Sequence, residues 1–247
     1  MTSGYWNSPW PAEDGGATRE QVASSISLGT PQVTSRLSIA STMVVRREPG
    51  EWFLLCHTGG DDAVSWVERF DSESLEIVSR SIDLPAGPTW PGGLAVHANG
   101  DLYVVFGRYA HRLTPDLELV TSTELPRNRP YNSFVVLSDG TLVTKDFGGA
   151  RPGEDPSYES GDCELVALSP DLEILARHTV DEGSVARLSA RETDVYVIGV
   201  HSLLEVHWSG SEFSTAKTIT YREAGEGFGW DAVIADGRAW FLNNGAG

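Results

Sequence analysis

Two side chains of this 247-residue chain, each at the start of an apolar strand, offer the hard oxygen atoms that calcium or magnesium prefers. They are Asn132, through its amide carbonyl, and Asp231, through its carboxylate. A cation held there would make a bound water into a nucleophile for hydrolysis. Lys145 and Asp146 form a second constellation, an amine beside a carboxylate. If burial lowers the lysine pKa, the two become candidate catalytic residues for acid–base work. Neighbours along a strand point to opposite faces, so a simple solvated pair is the structural alternative. His57 and His201 are a third set, since two imidazoles on one surface can share a metal, although no third ligand has suggestive spacing. His97, His111, His178 and His207 lie within expected strands and read as packing or surface residues. Cys56 and Cys163 belong to no CxxC and read as reduced thiols. The hydrolase motif GxSxG, the phosphate loop GxxxxGK[ST], the zinc motif HExxH and the dinucleotide fingerprint do not occur.

The elements that must position these residues are repeated. The copies are STMVVRREPGEWFLLCHTGG from Ser41, WPGGLAVHANGDLYVVFGR from Trp90, YNSFVVLSDGTLVTKDFGG from Tyr131, GSVARLSARETDVYVIGVH from Gly183 and GWDAVIADGRAWFLNNGAG from Gly229. Each is an apolar strand, a tight polar turn and a second apolar strand. Asn99-Gly100, Asp139-Gly140 and Asp236-Gly237 are two-residue hairpin signals, because Gly accepts a positive φ at no steric cost. Two further strands follow each of the first four pairs. The phrases TPDLELV at Thr114 and SPDLEIL at Ser169 lie 55 positions apart and mark the same turn in successive copies. Four strands repeating with a period of about 40 to 50 residues predict an all-β fold, a β-propeller with four-stranded antiparallel blades. The blades are expected at 41–85, 90–126, 131–180, 183–221 and, in part, 229–247, which makes about four and a half blades and an incomplete ring. Residues 1–40 read as an irregular lead-in across the surface, with a closing strand at 31–40 and one or two helical turns near Thr18–Ser25. The polar insertion at 148–162 reads as a surface loop.

In a propeller the loops entering each first strand share one rim with those joining second to third strands. The entry loops place Trp90, Tyr131, Asn132, Trp230 and Asp231 on that rim. The second set adds Cys56, His57, Asp61, Asp62, Arg108, Tyr109, Lys145, Asp146, His201, Asn243 and Asn244. Trp90, Arg108, Tyr109, Tyr131, Asn132, His201, Trp230 and Asp231 are the candidate ligand-binding residues. The opposite rim carries the Asn-Gly and Pro-Asp turns and reads as purely structural.

YNSFVVLSDGTLVTKDF resembles the PNGLAxxxDGxxLYVTD phrase of the senescence-marker and gluconolactonase propellers, and GWDAVIADGRAWF resembles their PDGIAxDxDGxxWV phrase. The resemblance spans about 30 residues and points to a bacterial propeller. It implies that Asn132 and Asp231 hold a divalent cation, calcium among the candidates, in an enzyme that opens lactones. SPWPAEDGG, from Ser8, resembles the opening of quinone-binding-like propellers.

Thirty-five acidic residues against 18 basic ones leave a net charge of −17, which repels nucleic acid and anionic membranes. The N-terminus shows no basic stretch followed by an apolar run, so no secretory signal is expected and a cytoplasmic setting is. Three functions fit: a platform for a small molecule or protein on the rich rim, a metal-assisted hydrolase at Asn132 and Asp231, or one part of a larger ring. The last would leave an open blade edge able to pair with a second copy.

Overall fold

The computed structural model describes residues 4–21, 33–36, 40–90, 92–148, 161–223 and 226–243. Among them it has 19 strands, all in antiparallel sheets, and a single 3-10 turn at Glu13–Gly15. The first sheet runs β1 (Ala40–Arg46), β2 (Trp52–His57), β3 (Ala63–Phe70) and β4 (Ile77–Arg80), with β5 (Leu84–Gly87) also on β3. β4 and β5 act as one interrupted outer strand. The gap is filled by Ser81, whose N–H donates to Val67 O (2.9 Å) and whose hydroxyl accepts from Val67 N (3.0 Å).

The second sheet is β6 (Gly93–Val96), β7 (Leu102–Phe106), β8 (Tyr109–Leu113) and β9 (Leu119–Glu124). The third is β10 (Tyr131–Val136), β11 (Leu142–Asp146), β12 (Cys163–Leu168) and β13 (Ile174–Val180). The fourth is β14 (Ser189–Arg191), β15 (Asp194–Ile198), β16 (Ser202–Trp208) and β17 (Phe213–Thr220). The fifth is β18 (Val233–Ala235) with β19 (Arg238–Trp240). Strand order follows chain order in each sheet, as consecutive hairpins require.

Side-chain alternation explains the packing. Leu102, Val104 and Phe106 join a core shared with the first sheet, while Tyr103 and Val105 join one shared with the third. Both faces of each inner strand are therefore covered, which is why LYVVF is apolar throughout and wholly buried. The last strands β9, β13 and β17 instead alternate or lie exposed. Four such cores separate five sheets in series, and their first strands are neighbours: β1 with β6, β6 with β10, β10 with β14 and β14 with β18.

The repeat is carried into backbone detail. Leu75, Leu117 and Leu172 each take a positive φ (60, 67 and 63°) in the turn before the fourth strand. The left-handed region costs an L-residue roughly 1–2 kcal/mol. Burial of Leu117 and Leu172 offsets that cost, for they are 4% and 1% exposed. Thr114 and Ser169 complete the matching turns, each hydroxyl accepting from the amide four residues on (3.2 and 3.1 Å).

The lead-in is irregular but does not run over the surface between residues 4 and 21. Tyr5, Ala12 and Arg19 are buried, and the segment bonds the first strand of every sheet. Trp10 O accepts from Arg46 N, Pro11 O from Val96 N, Ala17 O from Ala190 N and Thr18 O from Ile234 N, at 2.7–2.9 Å. The Tyr5 hydroxyl accepts from Val136 N (2.8 Å). A Gly- and Pro-rich stretch suits this role, because its carbonyls bond several sheets without forming a strand. The expected helical turn is absent from its described part, 18–21, and the expected strand at 31–40 is absent from residues 33–36, with only Ala40 in a strand, as the start of β1; the rest of both, and most of the insertion at 148–162, lie outside the described residues. Both cysteines are buried, and neither is in a disulfide. No helix among the described residues is long and apolar enough to cross a membrane.

Candidate functional site

Four of the expected rim residues meet in one open cavity of about 700 Å³ between the first and second sheets. Asp61 and Asp62 come from the β2–β3 loop, Arg108 and Tyr109 from the β7–β8 turn. Asp83 and Asn128, which the sequence reading did not single out, complete the polar lining. Asn128 lies in the connection that enters β10, so the same rim rule reaches it; Asp83 lies in the interruption between β4 and β5, which that rule does not cover, and it pairs with Arg80 (2.6 Å).

The turn that presents Arg108 is fixed by its backbone. Gly107 has φ 57°, and a Cβ there would sit 2.0 Å from Ala86 O, so no larger residue fits. Arg108 N donates to Ala86 O (2.7 Å), Leu125 N to Arg108 O (2.8 Å) and Tyr131 N to Gly107 O (2.7 Å). The facing loop is tied down by Thr89, whose amide and hydroxyl both donate to Gly60 O (3.1 and 2.6 Å). Main-chain bonds, joined by the Thr89 hydroxyl, thus hold both walls.

Arg108 is paired with the Glu124 carboxylate. The Asp62 carboxylate and the Tyr109 hydroxyl have no hydrogen-bond partner among the described residues. Behind the cavity, the Tyr109 ring stacks on His111 (6.0 Å, 12°). His111 is fully buried, with Nε2 2.8 Å from Pro85 O and Nδ1 2.7 Å from Ser122 Oγ. A carbonyl can only accept, so Nε2 carries the proton and Nδ1 accepts from the serine. Burial holds the imidazole neutral, with its pKa lowered to about 4.

The other expected residues lie elsewhere. Trp90 packs on Phe147 at 4.4 Å. Tyr131 is buried, its hydroxyl accepting from Arg127 N (3.2 Å). Asp146 is also buried, bonded to Arg127 (3.2 Å) and to Glu164 N (3.1 Å); burial raises its pKa against the lowering effect of these donors. Lys145 is buried too, donating from Nζ to Ser184 O (2.7 Å), and burial lowers its pKa to about 8. The solvated-pair alternative for these two therefore fails. In a sheet covered on both sides, opposite faces are both interior.

His57 is buried against Phe106 (4.7 Å), with Nδ1 2.7 Å from Thr58 O, while His201 is exposed at the β15–β16 turn. Trp230 is 41% exposed and donates its amide to Leu242 O. Asp231 is engaged at both oxygens: Oδ1 accepts from Arg187 N (2.6 Å) and Oδ2 from Arg19 Nη2 (3.3 Å). Asn132 lies on β10 at a register shift, and its side chain, like Asn244, is outside the described part. No group of three or more His, Cys, Asp or Glu side chains suited to a metal occurs among the described residues.

A second cavity, of about 770 Å³, opens at the other end of the sheets. Residues 4–18 form one wall and the first hairpin turns, at Ala98, Ser138 and Glu192, form the other.

No family model matches this chain, and no curated protein does. Solved structures do share its fold. One is a protein of unknown function from Bacteroides caccae, 12% identical, with a TM-score of 0.50 over 76% of this chain. This chain spans 62% of that protein's length. Another is a functionally unknown protein from Desulfotomaculum acetoxidans, 8% identical, with a TM-score of 0.50, covering 81% of this chain and 71% of its own. At such identities the likeness concerns the fold alone.

Proposed function

We propose that the five sheets are successive blades of a β-propeller and that the chain is a binding protein, with a small polar ligand seated between the first and second blades. The observation that carries this reading is the cavity of about 700 Å³ itself. It gathers Asp61, Asp62, Arg108 and Tyr109 on two walls braced by main-chain bonds, within the size range of small-molecule sites. A braced wall keeps the cost of ordering low when a ligand arrives. The free Asp62 carboxylate and Tyr109 hydroxyl supply acceptor and donor capacity.

The reading as a metal-assisted hydrolase is less well supported. A cation at Asp231 would have to displace the Arg19 guanidinium and compete with the Arg187 amide. Lys145 is already committed to Ser184 O and has no exposed surface.

A thermal-shift screen of polar metabolites provides the test. Compounds that raise the melting temperature are expected to lose that effect in Tyr109→Ala and keep it in Trp230→Ala. Stabilisation that survives Tyr109→Ala, or a screen without a stabilising compound, would overturn the proposal. A rise in melting temperature with calcium alone, lost in Asp231→Asn, would favour the hydrolase.

A further inference from the structure

The fifth sheet is held differently from the others. Among the described residues its core has four buried side chains, Ala186, Ile198, Ala232 and Ile234, with five partly buried ones packed against them, where the first-to-second and third-to-fourth cores have 15 and 14 buried. Hydrophobic burial scales with apolar area, so this sheet has the weakest apolar anchor. Polar contacts make up the difference, and they converge on the N-terminal segment.

Thr18 O accepts from Ile234 N on β18 (2.9 Å). Arg19, 5% exposed, places its guanidinium among Glu13 (3.0 Å), Asp14 (2.6 Å) and Asp231 (3.3 Å). Asp231, just before β18, also accepts from Arg187 N, and the Arg187 guanidinium returns to Glu13. The circuit Glu13–Arg19–Asp231–Arg187 thus closes on itself and ties the segment to the connections before β14 and β18. Further back, the same segment is fixed to the first three sheets through Trp10, Pro11 and Tyr5.

We infer that residues 4–21 are a built-in strap, and that Arg19 is the latch by which it holds the two-stranded sheet against the other four. The strap and its seat are an intramolecular interaction surface whose occupant is the chain's own N-terminal segment. Removing the cation leaves three partly buried carboxylates without their shared counter-charge, and the cost falls on the element with the smallest core. Opening is therefore local: β18 and β19 detach before the other sheets unfold.

Hydrogen–deuterium exchange on the full chain tests this. In Arg19→Gln, amides of Val233–Ala235 and Arg238–Trp240 should exchange about tenfold faster or more, while β7, β11 and β12 keep wild-type protection. Arg19→Lys, which keeps a positive charge, should recover part of the protection. Unchanged exchange in β18 and β19, or an equal rise in every sheet, would overturn the latch. If Arg19→Gln does not fold, Asp14→Asn removes one partner and should give a smaller rise at the same two strands; no rise there would overturn it equally.

Discussion

The two ends of the sheets spend their polar groups in different ways. At the end with the first hairpin turns, side chains stitch neighbouring sheets together. The Tyr103 hydroxyl donates to Pro170 O (2.7 Å), Arg112 pairs with Asp171 (2.6 Å), His97 Nε2 lies 3.0 Å from Gly140 O and Trp208 Nε1 donates to Asp139 (3.1 Å). At the opposite end the loops around Gly107 and Gly60 are fixed mainly by main-chain bonds, with the Thr89 hydroxyl and the Arg108–Glu124 pair beside them. Asp62, His201 and Trp230 are exposed there, and Tyr109 is half-buried. Backbone bracing frees side chains for a ligand; side-chain bracing consumes them. Deeper in, the contrast fades, since Lys145, Asp146 and Asp231 all have partners within the fold.

The largest effect that sharpens this contrast is expected at the stitched end. Leu172→Ala should cost about 2–5 kcal/mol in a denaturant melt, because a buried side chain is lost while the strained φ remains. A loss below about 1 kcal/mol would show that this turn is not part of the bracing.

Next is His111, behind the open cavity. Its folded pKa, about 4, lies below the usual 6.5, so the unfolded chain takes up a proton at a higher pH than the folded one. Its contribution to stability is intact above pH 6.5 and falls as pH drops toward 4, by on the order of 3 kcal/mol in all. Comparing wild type with His111→Gln across that range isolates the effect from the carboxylates. Identical pH profiles would contradict the buried neutral imidazole.

The smallest change in stability is expected at the cavity lining. Asp62→Asn and Tyr109→Phe, which keeps the ring on His111, should stay within about 0.5 kcal/mol of wild type, since neither side-chain polar group braces the fold. A large loss in either would erase the difference between the ends.

Much of this was readable from residue order. The paired TPDLELV and SPDLEIL phrases gave the repeat, and the structure places Leu117 and Leu172 in the same unusual conformation. The loop rule brought Asp61, Asp62, Arg108 and Tyr109 to one end, and they share a cavity. The strap was not readable. Its bonds use backbone carbonyls of Trp10, Pro11, Ala17 and Thr18, and a carbonyl leaves no mark on side-chain pattern. Residue order leaves Lys145 and Asp146 open between a buried and a solvated pair, because alternation sorts residues by face without saying which faces are covered. The turn-bearing rim was expected to be plain, yet a second cavity forms there from the strap, whose path no periodicity announces.

That second cavity makes the decisive measurement direct. A stabilising compound from the thermal-shift screen can be titrated calorimetrically into wild type, Tyr109→Ala and Asn7→Ala, the last altering the cavity beside the strap. Binding should weaken about tenfold or more in Tyr109→Ala and hold in Asn7→Ala. Loss of binding in Asn7→Ala with full affinity in Tyr109→Ala would place the ligand at the stitched end and contradict the account.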